Sequence, residues 1–436
     1  MRDGAEILWS LCTIQGVAPM QNSRQAYVNL ALATLAFAVA FAAWSLISPL
    51  ASQIQKDFHL DDFQTSVLIA VPVLLGSLVR IPMGLLTDRF GGRNVFTALL
   101  LFTLLPVAFL GSADSFATYV AGGFFLGVAG ASFAVGVPFV NRWFSPDKQG
   151  LALGVFGMGN IGTALALFSM PALTSAFHGR SGAFWFYLGP VAIMAAVFWL
   201  FARDMPGPVA RKSLGDSLAI LRSERRAWIL SLFYFLTFGG FVALGNYLPK
   251  LLIDWFHLDK GDNGLRAAGF TVLATLARPV GGWLADQLGG QRVLTAVFAA
   301  GPLGALALAW LASGTPTLGF ATGLFLVTAG WLGLGNGAVF KLVAEYFPKN
   351  TGLLTGVVGC AGGLGGFFPP LLMGAVKGAT GGYAWHTSPP PYWFLRTLIL
   401  VANTCSTALW RQRLVKSSRF GRLALYDAVE TSQPRG

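Results

Sequence analysis

Two arginines stand where the sequence can least easily tolerate a charge. Arg80 opens RIPMGLLTDRFGG (80–92) and Arg278 opens RPVGGWLADQLGG (278–290). Each lies eight residues before an aspartate, Asp88 or Asp286, that closes an apolar run. Eight helical residues span about 12 Å, which sets both guanidiniums well inside a bilayer, too deep for easy snorkelling. A charge at that depth costs at least about 2.5–3.5 kcal/mol on insertion scales. No aspartate or glutamate lies mid-run to neutralise the pair, since Asp88, Asp286 and Glu345 all fall at run ends. Two facing guanidiniums without internal counter-ions make an anion site, and their forks of donors suit a small planar oxyanion bound through paired oxygens. The alternative is that each arginine bonds backbone carbonyls or a loop acid.

Glycines are the second signal. One apolar run carries Gly150, Gly154, Gly157, Gly159 and Gly162; another carries Gly352, Gly356, Gly359, Gly362, Gly363, Gly365 and Gly366. Each costs about 1 kcal/mol relative to alanine in a helix, so close backbone approach must compensate. Small-residue packing between membrane helices accounts for most of them. Bare backbone also admits a small substrate, and Gly157, Gly359 and Gly363 are taken as part of the site wall.

The elements that must position these residues are membrane helices. Of 436 residues 55% are hydrophobic and only 11% charged, less than half the charge of an ordinary soluble domain. Runs long enough to cross about 30 Å of hydrocarbon lie near 28–50, 66–87, 94–111, 118–141, 150–173 and 183–202. A second set lies near 228–252, 266–286, 292–312, 317–340, 352–376 and 392–410. The expected fold is therefore all-α and integral to the membrane, with twelve transmembrane helices in two six-helix halves. The expected division is an N-terminal tail 1–27, a half at 28–202, a basic linker 203–227, a second half at 228–410 and a tail 411–436. Lysines and arginines concentrate in the linker, in both tails and in the loops after even-numbered runs, which predicts cytoplasmic termini in an inner membrane. The net charge of +12 is spread along helix flanks in no continuous patch, so nucleic acid is not an expected partner. Three distant cysteines suggest neither disulfide nor metal, and His59, His178, His257 and His386 all fall between runs. No catalytic dyad, metal set or nucleotide loop appears, so neither an enzyme nor a cofactor is expected.

The two halves repeat each other. The arginine segments align at an offset of 198, while GLALGVFG (150–157) and GLLTGVVG (352–359) align at 202, preceded by FSP (144–146) and YFP (346–348). Parallel six-helix repeats that bind substrate between them are an established transporter design. The segment GLLTDRFGGR (84–93) resembles the loop signature of the major facilitator superfamily, a resemblance that covers nearly all of the twelve-helix region. GMGNIG (157–162), GLGNGAVFK (333–341) and GLLTGVVGCAGGLGGFFP (352–369) resemble segments of the nitrate/nitrite porter family within it. The stretch 131–154 looks most like the assimilatory, uptake branch.

That resemblance implies a secondary transporter of nitrate or nitrite that rocks its halves around Arg80 and Arg278. Asn160 matches an asparagine that bonds substrate. LFYFLTFGG (232–240) resembles the segment that lends Tyr234 and Phe238 to the pocket, and Phe133 matches an aromatic on the fourth helix; lipid or core packing remains the alternative for these three rings. Nitrate or nitrite, protons and membrane lipid are the expected partners of a monomer. The absence of an intramembrane acid or imidazole favours nitrate/nitrite exchange, the assimilatory look favours proton symport, and the balance is placed on symport. Another small anion, formate or oxalate, is the alternative cargo. Three departures stand out: residues 1–19 lack the family's look, so Met20 is a candidate start; 378–391 reads as a loop; and the twelfth run carries Arg396 and Asn403.

Overall fold

In hydrocarbon every backbone N–H and C=O must be bonded within its own segment or a closed barrel. Apolar runs with helical glycine spacing and no turn signals therefore become helices. The computed structural model describes residues 23–205, 224–258, 260–300, 317–348 and 350–380, and among them there is no strand. The N-terminal half contains α1 (Ser23–Trp44), α2 (Ala51–Asp57), α3 (Asp62–Phe90), α4 (Gly92–Gly111), α5 (Phe116–Leu126), α6 (Ser132–Asn141), α7 (Gln149–Gly157), α8 (Ile161–Ala176) and α9 (Arg180–Phe201). The C-terminal half contains α10 (Arg225–Phe256), α11 (Lys260–Leu284), α12 (Leu318–Tyr346) and α13 (Thr351–Thr380), with 290–300 also helical. Nine of the spans among the described residues are long and apolar enough to cross a membrane. The eighth run, α11, falls outside that set: charged Lys260, Asp262 and Arg266 open it, and Arg278, Pro279 and glycines dilute the rest. The Arg266–Asp262 pair, 3.0 Å apart at i,i+4, carries the helix outward past the expected start at 266. Residues 1–22, the C-terminal tail, 206–223 of the linker, 301–316, and the twelfth run with all but the first residues of the 378–391 segment lie outside the described residues, while 23–27, expected as tail, already belong to α1. Of the 378–391 segment, 378–380 continue α13 as helix.

Three runs expected to be continuous are interrupted, the first of them after Trp44, where a turn at 45–47 leads to a 3-10 turn at Ser48–Leu50. A 3-10 turn at Gly127–Ala131 separates α5 from α6, and another at Met158–Asn160 separates α7 from α8. Both follow from close backbone approach. A Cβ on Gly127 would fall 2.4 Å from Pro72 O, and one on Gly162 would fall 1.9 Å from Ala38 O. A tighter turn lets the chain follow a neighbour that an ideal α-helix would leave behind.

Paired glycines also form the seam between the halves. A Cβ on Gly84 of α3 would lie 2.2 Å from Gly352 O of α13, and one on Gly282 of α11 would lie 2.1 Å from Gly150 O of α7. The two contacts are related by the repeat, which converts internal sequence similarity into pseudo-twofold packing. Gly91 and Gly289 follow the same rule. Both take positive φ, 82° and 89°, where the chain turns out of each arginine-bearing helix.

Both ends of the bundle are tied across the seam. At the loop-aspartate end, Asp286 accepts from Gly150 N (3.0 Å) and Leu151 N (2.8 Å) at the start of α7, while Asp88 accepts from Leu353 N (3.3 Å) at the start of α13. Carboxylates at helix N-termini satisfy orphan donors and oppose the dipole favourably. Lys341 joins them, 2.8 Å from Asp286 and bonded to Pro146 O of the other half. At the opposite end, Asp62 of α3 contacts Lys250 at 3.0 Å and Lys377 at 3.3 Å, and Ser48 Oγ donates to Asn246 O at 3.0 Å. His59, His178 and His257 follow α2, α8 and α10 at this second end, each with φ near +51°. They serve as left-handed helix terminators.

Candidate functional site

A charge in an apolar bundle must find hydrogen-bond acceptors or remain a liability. Arg80 and Arg278 are 1% and 2% exposed, among the largest fully buried side chains of the molecule. Both guanidiniums lie over one ring, Phe238 of α10, at 5.0 and 5.4 Å from its centroid. The halves therefore bring the two arginines to a common point, as their symmetric spacing predicts. Each leans on the glycine of the opposite half. A Cβ on Gly359 would lie 3.1 Å from Arg80 Cδ, and a Cβ on Gly157 would lie 3.1 Å from Arg278 Cδ.

Their hydrogen bonding is unequal. Arg80 Nε donates to Gly130 O at 3.1 Å, and its Nη1 donates across the seam to Gly359 O at 2.6 Å. For Arg80, then, the carbonyl-bonding alternative holds in part. Arg278 differs: its Nε and Nη2 are buried and make no well-formed hydrogen bond among the described residues, with only the Tyr234 hydroxyl close enough to interact with the guanidinium.

Aromatic side chains build the floor. Tyr234 and Phe238, one turn apart on α10, stack at 4.8 Å with planes 4° apart. Phe133 of α6 stacks beyond Tyr234 at 6.2 Å, and Phe340 of α12 meets Phe133 and Tyr234 edge-on at 4.6 and 4.7 Å. The Tyr234 hydroxyl lies within electrostatic reach of both guanidiniums and makes no well-formed hydrogen bond. Asn160, at the break between α7 and α8, gives one N–H to Gly157 O at 2.7 Å. Its amide retains a second donor, while its Oδ1 is buried and unpartnered.

Eight of the nine sequence-predicted residues thus surround one point: Arg80, Arg278, Phe238, Tyr234, Phe133, Asn160, Gly157 and Gly359. Gly363 stands apart, one turn beyond Gly359, where its missing Cβ makes room for Ser77 Oγ of α3. Sequence reasoning missed Phe340, Phe241 (5.4 Å below the Arg278 guanidinium) and the Gly130 carbonyl. Phe340 and its neighbour Lys341 were visible in GLGNGAVFK (333–341) only as parts of a resembling motif. A backbone carbonyl has no sequence signal at all. Chemically the arrangement is a buried, aromatic-floored, glycine-walled cluster carrying two positive charges. Among the described residues no cluster of side chains could hold a metal ion.

Residues 33–370 match the family described as Major Facilitator Superfamily. A protein of Bacillus subtilis named nitrite extrusion protein is 43% identical over 358 residues, covering 82% of this chain and 89% of its own length. A Staphylococcus haemolyticus protein named probable nitrate transporter NarT is 42% identical over 359 residues, covering 81% and 90%. The Mycobacterium tuberculosis protein named probable nitrate/nitrite transporter NarK2 is 42% identical over 354 residues, covering 80% and 88%. Among solved structures, the human organic anion transporter MFSD10 superimposes with a TM-score of 0.69 over 89% of this chain and all of its own, at 17% identity. That likeness concerns the fold alone. With its duplicated six-helix halves, its glycine seams and relatives above 40% identity along four-fifths of its length, the chain belongs to the major facilitator superfamily, as a multi-pass membrane transporter in the branch of these curated relatives.

Proposed function

We propose that this protein carries nitrate and nitrite across the inner membrane by alternating access, with the anion held between Arg80 and Arg278. The observation that carries the reading is the pair of buried guanidiniums over Phe238, one of which keeps two donors idle. The relatives' names point to the same cargo. The two halves, 28–202 and 228–410, rock about the pocket. Asp88 and Asp286 tie one end and the Asp62, Lys250 and Lys377 cluster ties the other, so one set of ties must open at a time. The loop-aspartate end faces the cytoplasm, with both termini and the linker on that side, and the transporter works as a monomer.

The anion is small because its walls are backbone. Gly157 and Gly359 lie so close to the arginine stems that even a methyl group, 3.1 Å from Cδ, would press on them. Formate is the smaller of the alternative cargoes and oxalate the bulkier. The coupling we propose is nitrate uptake in symport with a proton. Exchange of nitrate for nitrite is the second reading, favoured by one observation: the described side chains around the guanidiniums are aromatic, amide, glycine and the thiol of Cys360, without a carboxylate or imidazole to take a proton.

Purified protein in proteoliposomes, offered nitrate, nitrite, formate or chloride with and without a pH gradient, tests all of this. We expect nitrate and nitrite to be carried and chloride not. Uptake that responds to internal nitrite but not to the pH gradient establishes exchange over symport. Failure to move either nitrogen oxyanion overturns the cargo.

A further inference from the structure

Near the arginine pair lies a buried amide that the site described above does not use. Asn336 of α12 is 2% exposed, and both Oδ1 and Nδ2 lack any hydrogen-bond partner among the described residues. An asparagine offers two donors and two acceptor lone pairs. To bury all of them unmet, in an apolar bundle, is among the costlier local choices a helix can make. Glycines place it. Gly333 and Gly337 flank it on α12, and a Cβ on either would strike α11 backbone: Ala274 O at 2.1 Å from the first, Arg278 O at 2.2 Å from the second. Asn336 is therefore level with the turn of α11 that ends at Arg278. Residues four apart share a helix face, and Phe340, four residues on, edges both Tyr234 and Phe133 in the floor of the pocket. Asn336 thus occupies the pocket-facing stripe of α12 at the depth of Arg278. On the adjoining turn of α11, Thr275 is fully buried and its hydroxyl is likewise unpartnered.

These idle groups are not scattered at random. Arg278 Nε and Nη2, Asn336 Nδ2 and Oδ1, Thr275 Oγ1 and Tyr234 Oη of the C-terminal half make no well-formed hydrogen bond among the described residues; the N-terminal half adds Asn160 Oδ1, whereas the Nε and Nη1 of Arg80 are already bonded. An unmet polar set that gathers around one cation is most simply explained by a ligand that meets it.

We infer that Asn336 is a further substrate-binding residue, donating Nδ2–H to the oxyanion that Arg278 holds. The inference rests on the anion reading above and deepens it: the C-terminal half would provide most of the ligand's hydrogen bonds. An amide also discriminates. It rewards an anion with an oxygen projecting beyond the two gripped by the guanidinium fork, which nitrate has and nitrite lacks. Asn336 therefore favours nitrate over nitrite.

The test uses the full-length protein in detergent and in proteoliposomes, with sodium nitrate, sodium nitrite and sodium chloride as probes. Asn336→Leu removes the amide at similar volume. We expect the thermal midpoint without nitrate to hold or rise, because unmet polar atoms have gone. The nitrate concentration for half-maximal thermal shift should rise about ten- to a hundred-fold, with nitrite affected less. Asn336→Asp, which alters no volume, places a carboxylate beside Arg278 and should abolish the nitrate shift; it decides the question if the leucine variant does not fold. Either folded variant keeping the wild-type nitrate midpoint removes Asn336 from the site while leaving the transport reading intact. A wild-type protein with no shift in nitrate or nitrite overturns both. Equal losses for the two anions remove the claim of discrimination.

Discussion

Arg278→Lys separates the two arginines, which occupy equivalent places in the sequence and unequal ones in the fold. Lysine keeps the charge but loses the planar fork. At position 278 the lost donors, Nε and Nη2, make no well-formed hydrogen bond among the described residues, so the ligand-free protein surrenders only the approach to Tyr234 and part of the stacking on Phe238 and Phe241. Its thermal midpoint should change by no more than about 1 °C, an effect of about 1 kcal/mol or less in a protein of this size. The anion loses both bonds. At roughly 1.5–3 kcal/mol for each charged hydrogen bond, binding weakens by about 3–6 kcal/mol, a hundred- to ten-thousand-fold. Arg80→Lys should behave differently. It abandons Gly130 O at 3.1 Å and Gly359 O at 2.6 Å, losing two charged hydrogen bonds, one of them across the seam. That variant should be destabilised by about 2–4 kcal/mol even without nitrate. Thermal unfolding of both variants across a nitrate titration, with uptake measured in proteoliposomes, gives the comparison. If both lysine variants lose the same stability without nitrate, the asymmetry is refuted. If Arg278→Lys retains the wild-type nitrate shift, Arg278 does not hold the anion.

Further expectations concern the walls and the ties. Gly157→Ala or Gly359→Ala sets a methyl 3.1 Å from an arginine Cδ; transport should fall several-fold with folding intact, whereas Gly189→Ala, with nothing within 4 Å, should be silent. Asp286→Asn removes the counter-charge of Lys341 and weakens the cap on α7; stability should drop by about 3–5 kcal/mol, with faster hydrogen exchange at 149–157. Lys250→Met cuts its tie to Asp62 and should raise exchange at 246–256 while sparing 149–157. Exchange that rises equally at both ends in either variant would show that the ties do not act as separate gates. A reporter fused at residue 215 should lie in the cytoplasm, and an external location would invert the proposed orientation.

Much of this protein is legible in the order of its residues. Runs of apolar residues longer than a bilayer is thick leave the chain no alternative to helices, and eleven of the twelve expected runs fall, in whole or in part, on helix among the described residues. The offsets of 198 and 202 already contain the pseudo-symmetry, because equal spacing from a loop aspartate sets equal depth in the membrane. Depth is enough to single out Arg80 and Arg278, and the glycine spacing is enough to mark α7 and α13 as the helices pressed against them. What spacing could not decide is which groups each arginine meets. Gly130 O and Gly359 O belong to backbone, identical at every position, and only the approach of α13 and of the 3-10 turn at Gly127–Ala131 brings them to Arg80. Lys341 reads as an ordinary motif residue until folding places it between Asp286 and Pro146. Asn336 likewise looks like one polar letter among glycines. Its unmet amide exists only because α12 lies close enough to α11 to exclude water. Composition and periodicity measure what a residue is and how deep it sits; the bonds it keeps free depend on neighbours far away in the chain, which only the tertiary packing assembles.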